Sequence, residues 1–200
     1  GGGWGGATLP VKNYTTNVYA IDQERLRRFS GPYIRKAFQA VRAPCFGCLM
    51  HHVHRLRVPD GPHAGKLVDE PEYEGLAAWG PAIGQTDVTW AIVLNDLVDR
   101  LGMDTNEGGW VVGLAMECYE KGLITTKDTD GLELTWGNGE AAYALLHKVA
   151  HREGFGNILA EGAMRAAGEI GGEAPKFAVH SLKGNSPRGH DHRAVWAELF

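Results

Sequence analysis

Residues 87–122 read DVTWAIVLNDLVDRLGMDTNEGGWVVGLAMECYEKG, and the spacing within them decides the fold class. Val88, Ala91, Ile92, Leu94, Val98 and Leu101 form a broad apolar stripe at helical spacing, so a helix is expected from about Asp87 to Leu101, stopped by Gly102. Asp104 or Thr105 then caps a second helix, whose apolar positions Val111, Val112, Leu114, Ala115, Cys118 and Tyr119 end at Gly122. Two amphipathic helices joined by a short glycine turn make this a helix–loop–helix segment, and the unusual residues fall in the loop.

The same period recurs on both sides. Asp22 caps a short helix through Phe29, and Pro32, at a first-turn position, starts another that is expected to reach about Arg42, ahead of Pro44. Further helices are expected from about Gly139 to Arg152, stopped by Gly154, and from near Asn157 to Gly171 and Gly172. Extended pieces are short: His54 to Val58, Lys66 to Asp69 and Phe177 to Val179, the first two separated by Pro59-Asp60-Gly61-Pro62. The fold class expected is mainly α with few short strands. The polar stretch Thr125 to Gly139 is the best candidate for a linker.

Composition narrows what the chain can do. A net charge of −4 over 200 residues excludes a polyanion binder held by bulk charge, and 44% hydrophobic residues are enough to bury a core. There are 28 glycines, about twice the usual ~7%, with no collagen-like period, so they serve turns, caps and close approaches. No run reaches the ~18 apolar residues of a membrane span and no signal segment opens the chain, so a cytoplasmic location without membrane or nucleic-acid partners is expected. The chain opens Gly1-Gly2-Gly3-Trp4-Gly5-Gly6 and stops at Phe200 after the apolar run Ala194 to Leu199, and both ends read as cut.

Three cysteines are too few for a disulfide scaffold, but Cys45 and Cys48 stand in a C-x-x-C pair. Two thiolates at this spacing, on a turn eased by Gly47, can bind one metal or one cluster, the alternative being a pair of packed thiols. The imidazole of His52, four residues after Cys48, adds a candidate third ligand; no second C-x-x-C exists for a closed zinc site, and His51 and His54 read as loop histidines. Cys118, on the buried side of its helix, reads as a small core residue. Asp99 lies in the last turn of its helix, where a carboxylate opposes the helix dipole at a cost of ~0.3–1 kcal/mol. With Gly102 and Asp104 it forms a turn whose carboxylates suit the N–H groups of a heterocyclic ligand. Glu74 sits in a first helical turn, His180 follows a short apolar run, and Lys183-Gly184-Asn185-Ser186-Pro187-Arg188-Gly189-His190-Asp191-His192-Arg193 is a basic, glycine-containing loop suited to phosphates.

These pieces together resemble the aldehyde:ferredoxin oxidoreductase family of tungsten–pterin enzymes. The resemblance runs through Leu9-Pro10-Val11-Lys12-Asn13-Tyr14, the C-x-x-C, Pro71-Glu72-Tyr73-Glu74 and Asp99-x-x-Gly102-Met103-Asp104-Thr105. It continues through Met116-Glu117-Cys118-Tyr119-Glu120-Lys121-Gly122, Arg152-Glu153-Gly154-Phe155-Gly156-Asn157, Leu159-Ala160-Glu161-Gly162 and Lys183-Gly184. It implies Cys45 and Cys48, with His52 at the family's third cysteine position, on a four-iron, four-sulfur cluster. It implies Asp99, Gly102, Met103, Asp104 and Lys183 on a tungsten-bound pterin pair, Glu74 as proton shuttle and His180 near the substrate. At His52 two outcomes stay open: a histidine-ligated cluster, or one lost or remodelled.

The resemblance further implies a helical domain over residues 1–124, carrying the cysteine motif and pterin turn, and the incomplete start of a second helical domain over 125–200. The expected function is aldehyde oxidation to carboxylic acid with ferredoxin, or another iron–sulfur carrier, as electron acceptor, in a homodimer or a complex with a redox subunit. The fragment alone is expected to be inactive. A rival within the family is a tungsten subunit of the class II benzoyl-coenzyme A reductase type acting on an aryl-coenzyme A thioester. A rival outside it is a non-enzymatic zinc-binding module.

Overall fold

The computed structural model describes residues 9–50, 52–191 and 193. His51, the opening glycine run and the apolar run 194–199 lie outside the described residues. Eight α-helices are described: α1 (Gln23–Arg28), α2 (Gly31–Ala37), α3 (Tyr73–Trp79), α4 (Val88–Arg100), α5 (Thr105–Glu120), α6 (Gly139–His151), α7 (Phe155–Leu159) and α8 (Ala163–Ile170). Three short strands, β1 (Val41–Arg42), β2 (His54–Arg57) and β3 (Leu67–Asp69), form an antiparallel sheet in that order, with Arg42 opposite His54 and Leu56 opposite Val68. The architecture is mainly α, as the spacing of apolar residues required.

The helix pair read first from the sequence is the centre of the molecule. Asp87 caps α4 by accepting the amide of Thr89 (2.8 Å), and Asp104 caps α5 by accepting the amide of Glu107 (2.7 Å). Each such cap satisfies an amide that the helix itself leaves unpaired and contributes ~1 kcal/mol. Between them the chain reverses at Gly102, whose φ of +69° is a left-handed conformation that a side chain would strain. Helix α3 packs against both α4 and α5, α6 packs on α4 and α7, and α8 packs on α5. The hydrophobic cluster they enclose includes Trp79, Ile92, Leu94, Leu114, Met116 and Leu145, each essentially inaccessible. Cys118 is part of this core, where burial pushes its thiol up to about 12, so it is an inert packing residue.

Three local expectations are corrected. The helix begun near Pro32 ends at Ala37, not Arg42, because the chain turns through a left-handed Gln39 and enters β1, with the amide of Arg57 donating to the carbonyl of Phe38 (2.7 Å). The helix expected from Asn157 to Gly171 is broken into α7 and α8, since the carboxylate of Glu107 accepts the Ala163 amide (2.8 Å) and starts a new helix there. Phe177 to Val179 is not a strand: Phe177 ends a 3-10 turn over Ala174–Lys176, and its carbonyl accepts the side-chain amide of Asn13 (2.8 Å) rather than a neighbouring strand. The stretch between α5 and α6 is a packed connection, with Thr129 and Leu134 fully buried.

Among the described residues no helix is long and apolar enough to cross a membrane.

Candidate functional site

The two cysteines sit on the hairpin loop between β1 and β2. The loop is closed at its base by the Ala43 amide donating to Val53 (3.0 Å), and a tight turn at its tip has the Cys48 amide donating to the Cys45 carbonyl (3.1 Å). Cys45 is exposed and Cys48 half-buried, and both are free thiols. His52 is not brought to them: its Nε2 lies 3.1 Å from Oε1 of Glu72, the residue that precedes α3. His54, next along, pairs with Glu70 at 2.6 Å, and Glu70 also accepts from Arg35 at 3.0 Å. Among the described residues no three His, Cys, Asp or Glu side chains converge as a metal site.

Asp99 and Asp104 flank the turn that joins α4 to α5. Oδ2 of Asp99 accepts from the side-chain amide of Asn95 (3.2 Å), and Oδ1 of Asp104 accepts the Glu107 amide, so each carboxylate keeps one oxygen with no partner among the described residues. Partial burial pushes the Asp99 carboxyl above the ordinary range, and the neighbouring carboxylates of Asp96 and Asp69 push it further. Next to Asp104 a polar cleft of about 500 Å³ is lined by Asn106, Glu107, Glu161, Ser186 and Arg188. In its wall, the buried side-chain carbonyl oxygen of Asn106 has no hydrogen-bond partner. Met103, Val111, Leu146 and Leu159 line an adjoining apolar cavity of about 210 Å³, which shares Asp104 and Glu107 with the cleft. Gly102 makes the turn, and Met103 is directed to the cavity rather than to the carboxylates.

Two residues of this region carry more of the structure than their sequence context announced. Glu107 is three residues after the cap Asp104, the spacing of a capping box in which a glutamate folds back on its own helix start. Instead its carboxylate reaches across the cleft, accepting the amides of Ala163 (2.8 Å) and Ser186 (3.1 Å), and so fastens α8 and the basic loop to α5. Asn95 is 4% exposed in the middle of α4, an apolar face where the stripe alone marks nothing. The i,i+4 spacing to Asp99 was the available signal.

Glu74 stands in the first turn of α3, half-buried, beside the place where the basic loop crosses the helix: Gly189 lies against Ala77, and the rings of His190 and Tyr73 are 4.9 Å apart. Trp110 of α5 donates to the Pro187 carbonyl at 2.7 Å, and Tyr14 from the start of the chain donates to that of His190 at 2.8 Å. Asp191, fully buried, is held by Arg193 at 2.6 Å. His180 and Lys183 are exposed on the opposite limb of the same loop, where Nδ1–H of His180 donates to the Ser181 carbonyl (2.8 Å). The loop thus joins the α3 and α5 faces, and His180 is fastened to its own neighbour rather than to Glu74.

This is a mainly α scaffold that offers an aspartate turn, with Asp104 at the edge of a polar cleft, and, separately, a thiol pair on a hairpin. A family profile described as aldehyde ferredoxin oxidoreductase, domains 2 and 3, matches residues 6–199. The chain is 36% identical over 185 residues to a tungsten-containing aldehyde ferredoxin oxidoreductase of Pyrococcus furiosus, and 37% identical over 189 residues to that organism's aliphatic sulfonate oxidoreductase, WOR-like subunit. These matches cover 90% and 92% of this chain and 29% of each relative. The chain belongs to the aldehyde ferredoxin oxidoreductase family and spans under a third of the length of these relatives. Its fold is also that of the active-site complex BamBC of benzoyl coenzyme A reductase, solved with 1,5-dienoyl-CoA, with a TM-score of 0.75 and 23% identity over 94% of this chain and 27% of that one.

Proposed function

We propose that this chain is the middle and the beginning of the last domain of a tungsten–pterin, iron–sulfur oxidoreductase, with residues 1–124 and 125–200 as its two helical domains. The reaction is R-CHO + H2O + 2 oxidised ferredoxin → R-COOH + 2 H+ + 2 reduced ferredoxin. The aldehyde carbon gains the oxygen of water and loses two electrons, which two one-electron carriers accept. The observation that carries the reading is the aspartate turn whose Asp104 borders a polar cleft with the unpaired carbonyl of Asn106 in its wall, in a chain of this family.

A pterin ring presents N–H donors, and acceptor oxygens without partners beside a polar cleft are what such a ring requires, so these residues fit it. Cys45 and Cys48 fit two of the ligands of an iron–sulfur cluster; His52 joins them by leaving Glu72, and further ligands come from beyond the described residues. When bound, the metal–pterin group supplies the two-electron redox step and the cluster the one-electron exit. The protein's own part is positional and protonic. Asp99 and Asp104 orient the ring by accepting its N–H groups, and Met103 and the apolar cavity keep water from one side of the turn. Lys183 and Arg188 supply positive charge for phosphate groups. Glu74, half-buried at the start of α3, takes the proton released as water adds to the carbonyl carbon and passes it to solvent, with His180 on the substrate side of the loop.

In the intact enzyme, Glu74→Gln is expected to cut aldehyde turnover by about 10²–10⁴-fold, the usual worth of a general base, while tungsten and iron per chain stay at wild-type levels. Wild-type turnover removes Glu74 from the reaction. Running the assay beside an aryl-coenzyme A thioester and an aliphatic sulfonate, the second because of the 37% identical relative, identifies the substrate class.

A further inference from the structure

We infer that Asn95 is a positioning residue of the cofactor turn: from inside α4 it sets the orientation of the Asp99 carboxylate and registers it against α3, the helix that carries Glu74. The inference rests on the reading of Asp99 as a pterin ligand.

Three hydrogen bonds in series lead from α3 to that carboxylate, and the last of them, from the buried Asn95, reaches it at the surface. The indole N–H of Trp79 in α3 donates to Oγ1 of Thr105 in α5 (2.8 Å). The Thr105 hydroxyl donates to Oδ1 of Asn95 (3.3 Å), and Nδ2 of Asn95 donates to Oδ2 of Asp99 (3.2 Å). Each group donates toward the next, so the chain of dipoles points at the carboxylate, and bonds aligned in this way strengthen one another in a low-dielectric interior. The acceptor face of the Asn95 amide is consumed by Thr105, which leaves its N–H2 edge facing Asp99. Asp99 has need of a donor. It lies in the last turn of α4, where the helix dipole opposes it, and the carboxylates of Asp96 and Asp69, though ion-paired with Lys66, Arg100 and Arg55, add to that opposition.

Helix α3 is built around the amide. A Cβ at Gly75 would stand 2.0 Å from Oδ1 of Asn95, so the residue next to Glu74 has no side chain because the amide occupies that space. Alanine in place of Gly75 together with leucine in place of Asn95 would fill the same volume with apolar contacts and no hydrogen bonds to satisfy, the simpler solution for a helix interface. A buried amide with a glycine opposite it fits a carboxylate that must be held. It also means that a shift of α3 moves Glu74 and the support of Asp99 together.

The test measures the rate of pterin loss from the intact enzyme, following oxidised pterin by its fluorescence, with iron per chain as an internal control. N95A is expected to speed loss about tenfold, equivalent to about 1.4 kcal/mol, with iron per chain unchanged. D99A speeds loss as well. In the D99A background, N95A is expected to add less than about twofold, because the asparagine acts through that carboxylate; such non-additivity marks two residues in one network. G75A, which displaces the amide without removing it, is expected to speed loss in the same direction and serves if N95A does not fold. An equal penalty from N95A in both backgrounds makes Asn95 a packing residue and overturns the inference, as does unchanged pterin loss in N95A and G75A. Unchanged loss in D99A overturns the pterin reading itself and the inference with it, an outcome distinct from a failure of Asn95 alone.

Discussion

Around Cys45 and Cys48 the hairpin loop turns its large apolar side chains outward, with Phe46, Leu49 and Met50 at 80% exposure or more. Around Asp99 and Asp104 the opposite holds. The turn is fixed from below by the Trp79–Thr105–Asn95 chain and from the side by Glu107, and its neighbours Val98 and Trp110 are buried. Both regions carry candidate ligands, but the carboxylates are oriented by the protein before anything binds, while among the described residues the thiols are held by a short turn and a closed hairpin base. A site of the first kind pays its ordering cost during folding; one of the second takes its final geometry from what it binds.

The comparison can be broken at three points. The largest effect is expected from Cys48→Ser in the intact enzyme: loss of most of the iron and of the absorbance near ~400 nm, where iron–sulfur charge transfer falls, with pterin retained. Retained iron would show that the hairpin thiols are not ligands. Next comes Glu107→Ala, which leaves the Ala163 and Ser186 amides without their acceptor. A cost of about 1–3 kcal/mol is expected in the denaturant midpoint, with faster hydrogen exchange at those two amides. Exchange unchanged at both would mean that the turn and the basic loop are held by other contacts, and the contrast with the hairpin would weaken. The smallest effect is expected from Phe46→Ser, a fully exposed side chain, within about 0.5 kcal/mol of wild-type stability. A shift above about 1 kcal/mol would show the hairpin tip packed against protein.

The helices α4 and α5 and their caps were legible because they obey one rule over many residues: apolar positions at helical spacing, an aspartate at each start and a glycine between. The strands β2 and β3 were legible as short extended runs separated by the turn-rich Pro59-Asp60-Gly61-Pro62. The break between α7 and α8 was not: the chain leaves the helix at Gly162, with φ of +85°, and whether a glycine within a helical pattern breaks it was decided by a carboxylate 56 positions away that accepts the next amide. Phe177 to Val179 has the composition of a strand, but a strand needs a neighbour, and the carbonyl that would have paired with one is taken by Asn13. In the site, Asp99, Gly102 and Asp104 stood out as a local pattern, whereas Asn95 and Glu107 looked like an ordinary polar residue on a helix and an ordinary first-turn glutamate.

What the sequence determined by itself is the mainly α class, the central pair α4 and α5, the thiol pair and the aspartate turn, because periodicity, capping and C-x-x-C spacing are local properties written within a few turns of chain. Which polar groups serve the turn was decided by the tertiary structure alone. Trp79, Asn95, Thr105, Glu107, Ala163 and Ser186 meet only when α3, α4, α5, α8 and the basic loop pack together. A hydrogen bond between buried groups depends on distances that no local pattern encodes, and the cost of leaving a buried polar group without a partner favours the packing that pairs these ones.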